Sequence, residues 1–154
     1  NAKDGAIIEE SIESLDIIRK LSEHIQKYTG AALIIDYGYN IYSHKRKRGQ
    51  YNSTLQAIKN HQYRPVIDTL GEADLTAHVD FNALSNAAKE QSIKNIAFGT
   101  QREFLIKYGI KIRLESLKKS LSRQDFFIVK KQVFRLISTS QMGELFKVLE
   151  LLKI

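Results

Sequence analysis

Near the start of the chain apolar residues recur at steps of three and four: Ile12, Leu15, Ile18, Leu21, Ile25 and Tyr28. That spacing lays one hydrophobic stripe along an α-helix. Ser11 stands where an N-cap is expected, and Gly30 where the helix should stop. Glu9, Glu10 and Glu13 gather near its positive end and Lys27 near its negative end, as the helix dipole favours.

The pattern then changes. Ala31, Ala32, Leu33, Ile34 and Ile35 are apolar without alternation, and Asp36, Tyr37 and Gly38 follow at once. Such a run predicts a strand over 31–36 that is covered on both faces and ends in a polar turn, as in open α/β sheets. Ligands in those sheets sit beyond the carboxyl ends of the strands, so Asp36 and the turn through Tyr39 lie where chemistry is expected. Taken singly, Asp36 could equally cap the next segment of chain, and Gly38 could serve only the backbone.

A second strand of this kind is predicted over Ile93–Phe98, after a helix over Phe81–Gln91. Asp80 is that helix's expected cap, with Val79 and Leu84 as a hydrophobic staple. Between the two strands lies a long insertion, 37–79, in which the pattern predicts only a short helix over Thr54–Asn60. A connection of that length without structure is uncommon unless it is functional. Polar residues concentrate there: His61, Glu72, Asp74, Thr76 and His78, then Asp80. Downstream, Thr100 and Glu103 read as a capping box opening a helix that runs to Tyr108 and stops at Gly109. Helices over Ile110–Leu121 and Arg123–Ile137 follow, and Leu145–Leu149 is read as a strand. Helix-to-strand alternation of this kind places the chain in the α/β class.

The 154 residues, 43% hydrophobic and 27% charged, suit one globular domain. No apolar window is long enough to span a membrane, and the first residues lack the layout of a secretion signal. The chain does not begin with Met, which suggests a piece of something longer. With no Cys, disulfides, thiolate metal sites and cysteine nucleophiles are excluded, and a reducing compartment such as the cytosol is expected.

The formal charge of +7 is uneven. Lys45, Arg46, Lys47, Arg48, Lys59 and Arg64 fall between Tyr37 and Ile67 with no Asp or Glu among them. Such a field attracts nucleic acid, anionic lipid or an acidic protein surface, although a solvated Lys-rich loop is the favoured explanation. Asp74, His78 and Asp80 are close enough for a metal site, but Asp80 is better explained as a cap and no metal is assigned. No nucleophile elbow, zinc-protease helix or phosphate-binding loop is present. Asp36, Glu72 and Asp74 form the more interesting set, because carboxylates at a sheet's edge can grip a guanidinium in bidentate fashion.

Longer motifs say more. Gly30–Tyr39, Thr54-Leu55-Gln56-Ala57 with His61, the run Gly71–Phe81, Thr100-Gln101 with Glu103-Phe104-Leu105, Gly109-Ile110 and Met142–Leu149 together resemble the MidA-type S-adenosylmethionine-dependent methyltransferases. That family includes the mitochondrial assembly factor that methylates an arginine of a respiratory complex I subunit. The resemblance implies the carboxyl-terminal half of a class I, Rossmann-like fold: a partial sheet with flanking helices, 1–154 forming a single partial domain. In it 31–36 would be the fifth strand, Ile93–Phe98 the sixth and Leu145–Leu149 an antiparallel seventh. The residues that hold S-adenosyl-L-methionine would lie upstream of Asn1, leaving the fragment inactive alone and the edge of strand 31–36 open to another chain, including a second copy.

Asp36, Glu72 and Asp74 would then be catalytic, orienting an arginine of a protein substrate, with Tyr37, Gly38, Tyr39, His61, Thr76 and His78 lining its pocket. A respiratory complex subunit is the implied substrate, in the bacterial cytoplasm or the mitochondrial matrix; an RNA-facing module using 45–64 is the alternative. This sequence departs from the family pattern at Asn52-Ser53, where Gly-Asp is usual, and at Leu70, where Pro is usual.

Overall fold

A computed structural model describes residues 4–40 and 53–154. The basic tetrad Lys45–Arg48 and Asn52 lie outside the described residues.

The predicted first helix is α1 (Ile12–Tyr28), and the Ser11 side chain caps it by accepting from the Ser14 amide. Its end is shared between two residues. Thr29 takes a positive φ of 62°, and Gly30 follows at 133° and opens β1 (Gly30–Tyr39). A small sheet comes next, built from β2 (Gln56–Lys59), β3 (Gln62–Arg64) and β4 (Asp74–Thr76), with a 3-10 turn at Ile67–Thr69. After it come β5 (Val79–Asp80), α2 (Phe81–Glu90), β6 (Asn95–Thr100) and α3 (Gln101–Lys107). The remaining elements are α4 (Ile110–Lys118), α5 (Arg123–Ile137), the short α6 (Met142–Leu145) and β7 (Phe146–Lys153).

The main sheet has the order β5-β1-β7-β6. β7 runs antiparallel to both neighbours, from Gly30↔Lys153 to Tyr37↔Phe146 on one side and from Asn95↔Leu152 to Thr100↔Lys147 on the other. β1 and β6 are therefore parallel to each other with β7 between them, and β7 is antiparallel as the resemblance implies. β5 adds only two parallel pairs to β1, Gly38↔Val79 and Tyr39↔Asp80. Among the described residues, Gly30–Tyr37 consequently has a partner on one side only.

α1 and α2 cover one face of this sheet. Ile18 and Ile25 of α1 meet Phe81, Leu84, Ala87 and Ala88 of α2 over Leu149 and Leu151 of β7, with Ala32, Ile34 and Ile96 packed against them. Asp80 caps α2 by accepting from the Asn82 and Ala83 amides, as expected, and the Thr100–Glu103 capping box opens α3.

Three expectations need correction. β1 is not covered on both faces among the described residues. Its alternate residues Leu33 and Ile35 are 50% and 44% exposed, so the run without alternation has one packed row and one open row. Thr54–Asn60 contains a strand, not a helix, because Gln56–Ile58 pair with Asp74–Thr76 and Ala57–Lys59 with Gln62–Arg64. The described part of the insertion, from Gln56 to Thr76, therefore holds a sheet of its own. The last strand, Phe146–Lys153, is shifted and longer than predicted, and it lies inside the sheet between β1 and β6.

Candidate functional site

β1 ends at a cleft of about 460 Å³. Its walls are the segment entering α1, the last residue of β1, the link from β4 to β5 and the start of α2. Leu15, Val79 and Leu84 supply apolar lining; Glu9, Glu10, Tyr39, His78 and Asp80 supply the chemistry. Among the described residues, no Lys or Arg lines the cleft. An acidic cleft in a chain of charge +7 concentrates field lines that favour a cation.

Glu9 binds this region together. Its Oε1 accepts from the Ser53 hydroxyl at 2.9 Å, the Thr54 amide at 2.7 Å and the Leu55 amide at 3.2 Å, while Oε2 accepts from the Thr54 hydroxyl at 2.5 Å. Thr54 Oγ1 in turn accepts from the His78 amide at 2.9 Å. One carboxylate thus joins the entry of α1, the entry of β2 and the strand link that carries His78. Burial works against its charge and is outweighed by the bonds from Thr54, Ser53 and Leu55, so Glu9 titrates below its ordinary value of 4.5.

A depressed carboxyl pKa binds fewer protons in the folded chain than in the unfolded one, so its stabilising contribution is full above about 4.5 and is lost as the pH falls through the lower folded value. Glu9→Gln, which has no charge to lose, is expected to flatten the acid limb of the stability curve. It should also raise amide exchange at Thr54, Leu55 and His78 at neutral pH. Hydrogen exchange read by mass spectrometry checks this, and unchanged protection at those amides refutes the clamp.

The residues expected from the sequence fall into two groups. Tyr37, Tyr39 and His78 come together: the Tyr37 ring lies edge-on to His78 at 6.0 Å and to Phe146 at 5.6 Å, and Tyr39 and His78 line the cleft. Gly38 is between them for a packing reason. A Cβ there would lie 2.2 Å from the Val79 carbonyl oxygen, so the missing side chain is what lets β5 pair with β1. The others stand apart from the cleft lining. Asp36 is half-buried and accepts from the Tyr37 amide at 2.8 Å. His61 is exposed at the turn between β2 and β3, Glu72 is exposed and paired with Lys59, and Asp74 and Thr76 begin and end β4. No group of three metal-ligating side chains gathers among the described residues.

Glu9 and Glu10 were not legible as site residues from sequence, where they serve only as helix-dipole charges. The partners of Glu9 lie more than forty positions away, and no local spacing announces such a contact.

A profile of the family described as "Putative S-adenosyl-L-methionine-dependent methyltransferase" matches residues 1–98. This chain belongs to that family. Among curated proteins, this methyltransferase family member is similar to the Xenopus tropicalis protein named protein arginine methyltransferase NDUFAF7, mitochondrial. Identity is 37% over 135 residues, covering 85% of this chain and 29% of that protein. The human protein of the same name is 32% identical over 140 residues, covering 88% of this chain and 29% of its own length. Among solved structures, a Burkholderia thailandensis protein bound to S-adenosyl-homocysteine superposes with a TM-score of 0.78 at 28% identity, over 99% of this chain and 39% of that one. A second structure from the same organism gives 0.80 at 30% identity, over 99% and 40%. This family member therefore spans about 29% of the length of the curated relatives it matches.

Proposed function

We propose that this chain forms the acceptor side of an S-adenosyl-L-methionine-dependent protein arginine methyltransferase. The observation that carries the reading is the acidic cleft at the carboxyl end of β1, lined by Glu9, Glu10 and Asp80 with Tyr39 and His78 and, among the described residues, by no Lys or Arg. Glu9 is occupied by its four hydrogen bonds. Glu10 and Asp80 are thus the pair that meets a guanidinium there, and Tyr39 and His78 flank its plane. Asp36, Glu72 and Asp74 stay in the proposal as the carboxylates that the family resemblance names, acting from the strand rim and the small sheet.

An arginine side chain keeps its proton in water. The chain's task is to hold the planar group in bidentate contact and to accept the proton that one nitrogen gives up as it becomes a nucleophile. Holding the reacting group in place supplies the larger part, since orientation alone lowers a barrier by roughly 7 to 11 kcal/mol. The cofactor, when bound, supplies the electrophilic methyl group. The described residues do not form a cradle for it: the positive-φ glycines Gly5, Gly30, Gly71 and Gly109 lie in four separate segments, and Gly38 at the strand tip is sealed by β5.

An arginine-containing peptide titrated into the chain tests the acceptor site by nuclear magnetic resonance. Shifts are expected at Tyr39, His78 and Asp80, with binding weakened about tenfold in Glu10→Gln and in Asp80→Asn, since a hydrogen bond to a charged group contributes about 1.5 to 3 kcal/mol. Asn retains the capping role of Asp80, which separates loss of charge from loss of the helix. Equal binding of a peptide with neutral citrulline in place of arginine overturns the reading.

A further inference from the structure

The helices that follow β6 carry the chain's net charge. Residues 101–137 hold ten Lys and Arg against three Asp and Glu, a balance equal to that of the whole protein. Of the ten, Lys107 is tied to Glu150, and Arg102 donates to the Ile137 carbonyl. No ion pair engages Lys111, Arg113, Lys118, Lys119, Arg123, Lys130, Lys131 or Arg135 among the described residues.

Large apolar side chains stand in solvent among these cations. Phe127 and Phe134 of α5 are 56% and 58% exposed, and Ile112 of α4, between Lys111 and Arg113, is 77% exposed. On α5, Arg123, Phe127, Lys130 and Phe134 follow one another at steps of three and four, and Lys131 is four on from Phe127, so the five share one side of the helix. Phe126, Val129, Val133 and Leu136 are the less exposed residues and mark the packed side. Asp125, the only acid on α5, accepts from the Ser122 hydroxyl at its start and caps nothing on the outer face.

A helix therefore has one apolar side against its own protein and a second side of phenyl rings among ammonium and guanidinium groups. A second copy of the chain would set these cations against one another. Lys131 Nζ lies 4.4 Å over the Phe127 ring, so cation and phenyl face are presented together. A bilayer interface meets both needs at once, because anionic headgroups take the cations while rings enter the acyl boundary and long Lys stems lie along it.

We propose that the outer face of α5 docks the protein on an anionic phospholipid membrane, with Phe127 and Phe134 as insertion points and Arg123, Lys130 and Lys131 as headgroup contacts. This surface is separate from the acidic cleft and does not rest on the arginine reading. The attraction fades with distance from the bilayer over a Debye length, so it is sensitive to salt.

Cosedimentation of the 154-residue chain with sucrose-loaded vesicles is the test. Binding is expected to vesicles containing phosphatidylglycerol, absent from phosphatidylcholine alone, and strongly reduced at high salt. The double variant Lys130→Gln with Lys131→Gln should bind about thirtyfold more weakly, each basic residue near such a surface contributing about 1 kcal/mol. Phe127→Ser with Phe134→Ser should weaken binding about tenfold or more, with the melting curve showing that either variant stays folded. The lysine variants alone decide the matter if the phenylalanine ones unfold. No binding to the anionic vesicles, equal binding to neutral ones, binding indifferent to the substitutions, or tighter binding to single-stranded RNA than to vesicles would overturn the proposal.

Discussion

Phe81→Ala is expected to lower the stability of this chain by about 3 to 5 kcal/mol, the usual cost of deleting a buried aromatic ring. Phe81 is 0% exposed, and it is the first residue of α2, where the sheet, the helix layer and the cleft meet. Its ring lies 5.6 Å from Phe98 of β6 and directly under Gly38 of β1, whose Cβ position is 2.9 Å from Phe81 Cε2. Little can collapse into the space, since one side is backbone and the other a strand pinned by β7. Domains typically have about 5 to 15 kcal/mol in total, so such a loss would leave the fold marginal. Urea unfolding followed by circular dichroism measures the effect; a loss under about 1 kcal/mol would mean that Phe81 is not part of a close-packed core.

The second large effect is expected at Gly38→Ala. Adding one methyl there brings carbon to 2.2 Å from the Val79 carbonyl oxygen and 2.9 Å from the Phe81 ring, and the first of these is backbone that cannot rotate away. Overpacking of this kind costs about 1 to 3 kcal/mol and occasionally more, and relief requires β5 to part from β1. The two parallel pairs at Gly38↔Val79 and Tyr39↔Asp80 should be lost, and with them the placement of His78 and Asp80 in the cleft. Arginine-peptide affinity should therefore fall further in this variant than in Asp80→Asn. Intact peptide binding with unchanged unfolding would show that β5 does not need the glycine.

The sequence states its helices better than its sheets, for a physical reason. Ser11, Asp80 and Thr100 announce helix starts through bonds to amides two or three residues on. Strand partners are remote and leave no such local trace. Gln56–Lys59 is a strand because Asp74–Thr76 pairs with it, while its own short apolar content reads equally well as a helical turn. The turn after it hides as well. Asn60 and His61 both take positive φ, 53° and 60°, in the manner of a tight hairpin, but the glycine that normally signals one is absent. The resemblance implies an antiparallel last strand, and β7 is one, but the strand expected to end at Asp36 in a turn runs on through Tyr39, because Gly38 and Tyr39 pair with the remote Val79 and Asp80. The role of Glu9 was illegible because a carboxylate beside a helix start has an ordinary electrostatic explanation.

The order of the main sheet bears on how the chain is made. β7, the seventh strand in sequence, lies between the first and sixth and supplies Leu149 and Leu151 to the core, so Gly30 must wait for Lys153 before the ladder can close. Contacts of such long sequence separation form slowly, after the loop entropy has been met. A nascent chain emerging from the ribosome would therefore hold β1 and β6 apart, each with open hydrogen-bonding groups, until nearly all of this stretch had been translated. Chaperone demand should be greatest in that interval, and a premature stop codon just ahead of Phe146 would leave a product unable to assemble the sheet.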